Sequence, residues 1–188
     1  MNTNKKILKV AGKLFGEQGY FGTSMSDIAR EVGIVKSALY YHFDSKEKLF
    51  RELMKTSCQN LKKELKHSVK SSITPIDVVF NIVKTLLDYR IKHPEIRLLT
   101  SVSISSNEKE PLTRFIVKMR VSILKIIREI IGDLDFTRKK GRRFVYVFSA
   151  SILGFIFSPL VPKNMDSEEL SEQLTKTLLN SKDQKSYA

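Results

Sequence analysis

The sequence predicts an all-α protein, on three observations. Apolar residues recur at spacings of three and four along nearly the whole chain, alternating strand patterns are absent, and no Asn-Gly pair offers a tight hairpin. The 188 residues, 41% of them hydrophobic, suffice for a sizeable core and for one large or two small domains.

The elements follow in order. Ile7, Val10, Ala11, Leu14 and Phe15 form a first helical stripe, ended by Gly19. Ser24 to Val32 is a short helix closed by Gly33, and Lys36 to Phe43 is another. Asp44 opens a long helix that carries Leu49, Phe50, Leu53, Met54, Leu61 and Leu65 on one side. The run "KHSVKSSITP" at 66–75 reads as a linker, with Pro75 placed to start the next helix. Further helices are expected at about 76–92, 95–105, 111–131, 137–158 and 166–180, punctuated by Pro94, Pro111, Gly132 and Pro162.

Lys and Arg total 33 against 20 Asp and Glu, a formal net charge of +13, which favours a polyanionic partner, nucleic acid or an anionic membrane surface, over a merely soluble basic surface. The charge alone nominates no site, because residues 1–60 hold 10 basic and 6 acidic side chains and the remainder 23 and 14. Cys58 is the only cysteine, so no intrachain disulfide is possible and the thiol is expected to pack rather than react. The basic start "MNTNKKILKVAGKLF" has its apolar residues interrupted by Lys9 and Lys13 and no signal-type cleavage site after it, so a cytoplasmic protein is expected.

From Phe144 to Pro162 the sequence "FVYVFSASILGFIFSPLVP" holds no charge, and five basic residues at 138–143 precede it. Two readings follow. A membrane-associated helical protein anchored through 138–162 is one. The other, a buried core or dimer helix, is favoured because Pro159 and Pro162 shorten the helical part, and Ser149, Ala150, Ser151 and Gly154 permit close helix approach.

Ser24 and Asp27 fit a capping box opening a helix whose inner face is Ile28, Ala29 and Val32. After the Gly33 turn, Leu39 and Phe43 lie one turn apart and can pack on Ile28, Ala29 and Phe15, which makes a helix-turn-helix. With Leu39 and Phe43 inward, Lys36 with Tyr40 and Ser37 with Tyr41 fall on exposed rows that can face DNA. Lys36 and Ser37 would reach base edges, Ala38 a thymine methyl, and Tyr40, Tyr41 and His42 phosphate oxygens, although Tyr40 can instead complete the core. Asp44 and Glu47 resemble a second cap, with Lys46 as a mobile charge beside it. Thr23, Ser24 and Ser26 offer hydroxyls at the preceding helix start.

Residues 19–50, "GYFGTSMSDIAREVGIVKSALYYHFDSKEKLF", resemble the DNA-binding domain of the TetR family of transcription regulators. The residues carrying the resemblance are Gly19-Tyr20, Thr23, Ile28-Ala29, Gly33, Leu39-Tyr40-Tyr41-His42-Phe43 and Lys46-Glu47-Lys48-Leu49. Val35 stands where the family often has serine or threonine, and Ser37 where glycine or proline is common. Val35 cannot cap the recognition helix, at a cost of about 1 kcal/mol.

The resemblance implies an N-terminal three-helix DNA-binding domain at 1–50 and a helical effector-binding and dimerisation domain at 51–188, joined by a helix from about 45 to 66. It implies a homodimer built on the helices at 137–158 and 166–180, and a palindromic operator read in successive major grooves ~34 Å apart. A small apolar effector would release the DNA, most simply from a repressor, with a coupling of about 1–3 kcal/mol. Candidate effector contacts are Phe80, Val83, Leu87, Tyr89, Arg90, Phe115, Met119, Arg120, Ile123 and Tyr146. The "TRKKGRR" run at 137–143 either meets the anionic head of an acyl-CoA-like ligand or is a solvated helix start.

An enzyme is not expected. Glu64-x-x-His67 is at most half of a di-iron motif, and no phosphate loop, cysteine cluster or nucleophile elbow accompanies it. Catalytic residues, metal ligands and cofactors are expected to be none.

Overall fold

A computed structural model describes residues 3–101, 111–132, 149–152, 154 and 166–183, and among these every regular element is a helix. The helices are α1 (Thr3–Gly22), α2 (Met25–Val32), α3 (Lys36–His42), α4 (Lys46–Ser68), α5 (Pro75–Lys92), a 3₁₀ turn (Pro94–Arg97), α6 (Leu98–Ser101), α7 (Pro111–Gly132) and α8 (Ser167–Asp183). The all-α expectation therefore holds. The helix expected at 95–105 divides into the 3₁₀ turn and α6, because Pro94 at the first position favours a tight start. The helix expected at 137–158 lies largely outside the described residues, although 149–152 are helical.

The described chain forms two compact units. The first comprises Met1–Gln59 and Lys92–Arg120, the second Asn60–Ile91 and Val121–Ala188. In the first unit, Ile7, Ala11, Leu14 and Phe15 of α1 are buried with Ile28, Ala29 and Val32 of α2, Leu39 of α3 and Leu49, Phe50, Leu53 and Met54 of α4. Phe15 meets the Phe50 ring edge-on at 5.5 Å, and Tyr20 packs against both rings. α1 is interrupted at Gly19, whose φ of 78° and ψ of 168° lie where a side chain is strained, so the chain turns there towards α2.

The 3₁₀ turn docks on α1 in a way that apolar periodicity does not foretell. Gly12 and Gly16 are one helical turn apart, and an added Cβ at Gly16 would stand 2.5 Å from the Pro94 Cβ. The two glycines thus form a bare seat for Pro94 and Glu95. Arg97 fastens it, donating from Nη2 to the Gly16 carbonyl at 3.0 Å. The Glu95 carboxylate is buried and accepts from the Ser57 hydroxyl of α4 at 2.7 Å, with His93 Nδ1 at 3.4 Å.

In the second unit, Val79, Ile82, Val83 and Leu86 of α5 are buried, as are Leu61 and Leu65 of α4, Ile123, Ile127 and Ile131 of α7, Ile152, and Leu170 of α8. Lys84 of α5 reaches Glu168 of α8 at 2.8 Å, and Ser167 donates to Asp88 at 2.6 Å, so polar contacts tie α8 to α5. Among the described residues no helix is long and apolar enough to cross a membrane. Most of the apolar run at 144–162 lies outside the described residues.

Candidate nucleic-acid interface

The α2–turn–α3 unit is built as its residues dictate. Ser24 caps α2, its hydroxyl accepting from the Asp27 amide at 3.1 Å while the Asp27 carboxylate accepts from the Ser24 amide at 3.1 Å. The Ser24 hydroxyl also donates to the Asp27 carboxylate at 2.6 Å, and this bond, with that from the Ser24 amide, holds the Asp27 carboxyl below the usual range. At the other end Gly33, with φ 79° and ψ 37°, closes the helix in the left-handed conformation, and its amide bonds back to the Ala29 and Arg30 carbonyls. Lys6 of α1 reaches the Val32 carbonyl at 2.8 Å, a cation at a helix C-terminus.

α3 begins at Val35, which has extended backbone and makes no side-chain cap. Leu39 and Phe43 are buried, as required if α3 is to pack on α2 and α1. Lys36, Ser37, Tyr40 and Tyr41 are exposed, Tyr41 at 87%, while Ala38 and His42 are half-exposed. Lys36 Nζ sits 5.9 Å from the centre of the Tyr40 ring, and the Tyr41 and His42 rings meet edge-on. One short helix therefore presents an ammonium, hydroxyls and an imidazole on its outer side, a donor set suited to phosphate oxygens and base edges.

Three expectations about the flanks are corrected. Thr23 is not on the open face: it is buried, and its hydroxyl donates to the carbonyls of Gly19 at 2.9 Å and Leu14 at 3.2 Å, tying the end of α1 to the start of α2. Lys46 is no mobile charge. Its ammonium donates to the Tyr20 and Thr23 carbonyls at 3.0 and 3.1 Å and lies over the Tyr20 ring at 4.5 Å, so it pins the same loop from α4. The cap of α4 is Ser45, whose hydroxyl accepts from the Lys48 amide at 3.1 Å, while Asp44 and Glu47 instead pair with Lys48 and Arg51.

Residues 7–53 match the family model described as bacterial regulatory proteins, tetR family. That match places a tetR-family domain at residues 7–53, the segment that holds α2, the turn and α3. The chain is similar to the HTH-type transcriptional regulator AcrR of Shigella flexneri, 34% identical over 101 residues that cover 53% of this chain and 47% of AcrR. It is also similar to IcaR of Staphylococcus aureus strain Newman, the HTH-type negative transcriptional regulator of the biofilm operon icaADBC, 33% identical over 103 residues covering 55% of each. The match spans about half the length of these curated relatives. The fold likeness extends further: FadR of Bacillus subtilis, solved in complex with stearoyl-CoA, superposes with a TM-score of 0.75 at 19% identity, over 94% of this chain and 97% of that one. The relatives are regulators rather than enzymes, in line with the sequence.

The effector candidates are distributed over both units. Phe80, Val83, Leu87, Tyr89 and Arg90 of α5 belong to the second unit with Ile123, and all but half-buried Phe80 are buried. Phe115, Met119 and Arg120 of α7 belong to the first. Phe115 packs under the Arg51 guanidinium at 4.7 Å, and Arg120 donates to the Leu99 carbonyl. Burial pushes the Arg120 pKa down. Tyr146 and the 137–143 basic run lie outside the described residues. Among the described residues no group of His, Cys, Asp and Glu could hold a metal ion.

Proposed function

We propose that the protein is a ligand-responsive transcriptional repressor of the cytoplasm, binding a palindromic operator as a homodimer and released by a small apolar, acyl-CoA-like effector. The exposed outer side of α3, inside a TetR-family domain, carries this reading. α3 is the second helix of the helix-turn-helix and enters the major groove. Lys36 and Ser37 address base edges, Ala38 meets a thymine methyl, and Tyr40, Tyr41 and His42 reach the flanking phosphates. Ser24 adds a hydroxyl at the start of α2. Thr23 and Lys46 act indirectly, by holding the loop from which α2 starts. The names of AcrR and IcaR support transcriptional control, and the stearoyl-CoA bound by FadR supports an effector with a long apolar portion, met in the second unit by side chains of α5 such as Phe80 and Val83.

Nuclease footprinting of the region upstream of the gene, at low salt, tests this directly. The expected result is a protected palindrome whose half-sites lie one helical turn apart, about 34 Å. Absence of any protected palindrome overturns the proposal.

A further inference from the structure

α3 has two chemically different edges. One carries Lys36 and Tyr40, the ammonium above the phenol ring. The other begins at Val35 and continues, three residues on, to the half-exposed methyl of Ala38. Val35 is 69% exposed, and its carbonyl already accepts from the Ala38 and Leu39 amides, so its isopropyl group stands where the helix starts. A serine or threonine there would supply the missing cap, and valine gains almost no burial in exchange. On the outer side of a helix-turn-helix, this exposed β-branched residue, which neither caps nor packs, is free to meet something outside the chain.

We propose that the Val35–Ala38 edge is a reader of thymine, through apolar contact with the C5-methyl group in the major groove. This rests on α3 being the DNA-reading helix. In that groove the thymine methyl is the one methyl group that a base edge presents, the other recognition features being donors and acceptors. Two short aliphatic side chains permit close approach without a competing polar group, and Lys36 on the neighbouring row supplies the positive charge that a duplex requires. Val35 is thereby a specificity-determining residue, and adenine–thymine pairs are preferred at the position it meets in each half-site.

The test begins with selection of bound duplexes from a randomised library by the full chain. Affinity is then measured for a selected duplex in which each thymine in turn is replaced by uracil, which lacks only the methyl group. The wild-type protein is expected to lose about four-fold in affinity at one or two thymines per half-site, the equivalent of one buried methylene. Val35→Ser is expected to bring the thymine-to-uracil ratio at one of these positions to about one, and Val35→Thr, which keeps a methyl, to retain most of it. A selected palindrome with no uracil-sensitive position, or a ratio unchanged in Val35→Ser, overturns the inference while leaving DNA binding intact. Failure to select any duplex overturns the proposed function and the inference together.

Discussion

Gly16→Ala is expected to destabilise the first unit by about 2 kcal/mol, although helix propensity alone predicts the opposite sign. Replacing a mid-helix glycine by alanine ordinarily gains about 1 kcal/mol. Here the new methyl would lie 2.5 Å from the Pro94 Cβ and 2.7 Å from the Pro94 carbonyl carbon, too close for either to remain in place. Pro94 is held by its ring and by Arg97, which donates to both the Pro94 and Gly16 carbonyls, so no flexible side chain yields. Overpacking of about 3 kcal/mol then outweighs the propensity gain. Gly12→Ala is the milder comparison, because its Cβ would stand 3.2 Å from a Glu95 carboxylate oxygen, 3.4 Å from the carboxyl carbon and 3.5 Å from the Leu53 Cδ1, with no approach under 3.0 Å. Urea unfolding of the two variants decides the matter: a Gly16→Ala protein as stable as the wild type would show that the 3₁₀ turn does not seat on α1.

The second large effect concerns Glu95. Burial pushes its carboxyl up, but hydrogen bonds from His93 and Ser57 more than offset this, and the group stays below its ordinary value of 4.5. A carboxyl with a depressed native pKa stabilises the fold above its unfolded pKa, and that contribution fades as pH falls through the native value. Glu95→Gln, which keeps the shape and loses the charge, is expected to cost about 2 kcal/mol at pH 7, the scale of hydrogen bonds to a charged group. The difference from wild type should shrink as pH falls below the ordinary glutamate value and the native carboxylate takes up its proton. Paired urea titrations at neutral and acid pH measure it, and a gap independent of pH would contradict the assignment of a buried, hydrogen-bonded carboxylate.

The local features of the interface were legible in the sequence because they are written in short spacings. Ser24 with Asp27, the Gly33 turn, and Leu39 with Phe43 are each settled within a helical turn, and the structure has all of them. The cap of α4 was misassigned by one residue, since Asp44 with Glu47 and Ser45 with Lys48 share the same spacing and only the backbone chooses between them. Thr23 and Lys46 were read as surface groups because their types are polar. Their partners are carbonyls, which every residue carries, so nothing in the sequence marks the pairing. Glu95 was missed for a further reason: the Ser57 hydroxyl it holds is 38 residues away. The spacing of Gly12 and Gly16 was the one visible signal that another segment approaches α1 closely.

The central claim, that the outer side of α3 contacts DNA, is tested most directly by the affinity of wild-type protein and Tyr41→Ala for a protected duplex across a series of salt concentrations. The account predicts a linear fall of log affinity with log salt, and binding about ten-fold weaker for Tyr41→Ala at every salt, with the slope unchanged because the lost phosphate contact is an uncharged hydroxyl. Binding that ignores salt, or a Tyr41→Ala variant that binds as tightly as the wild type, would contradict it.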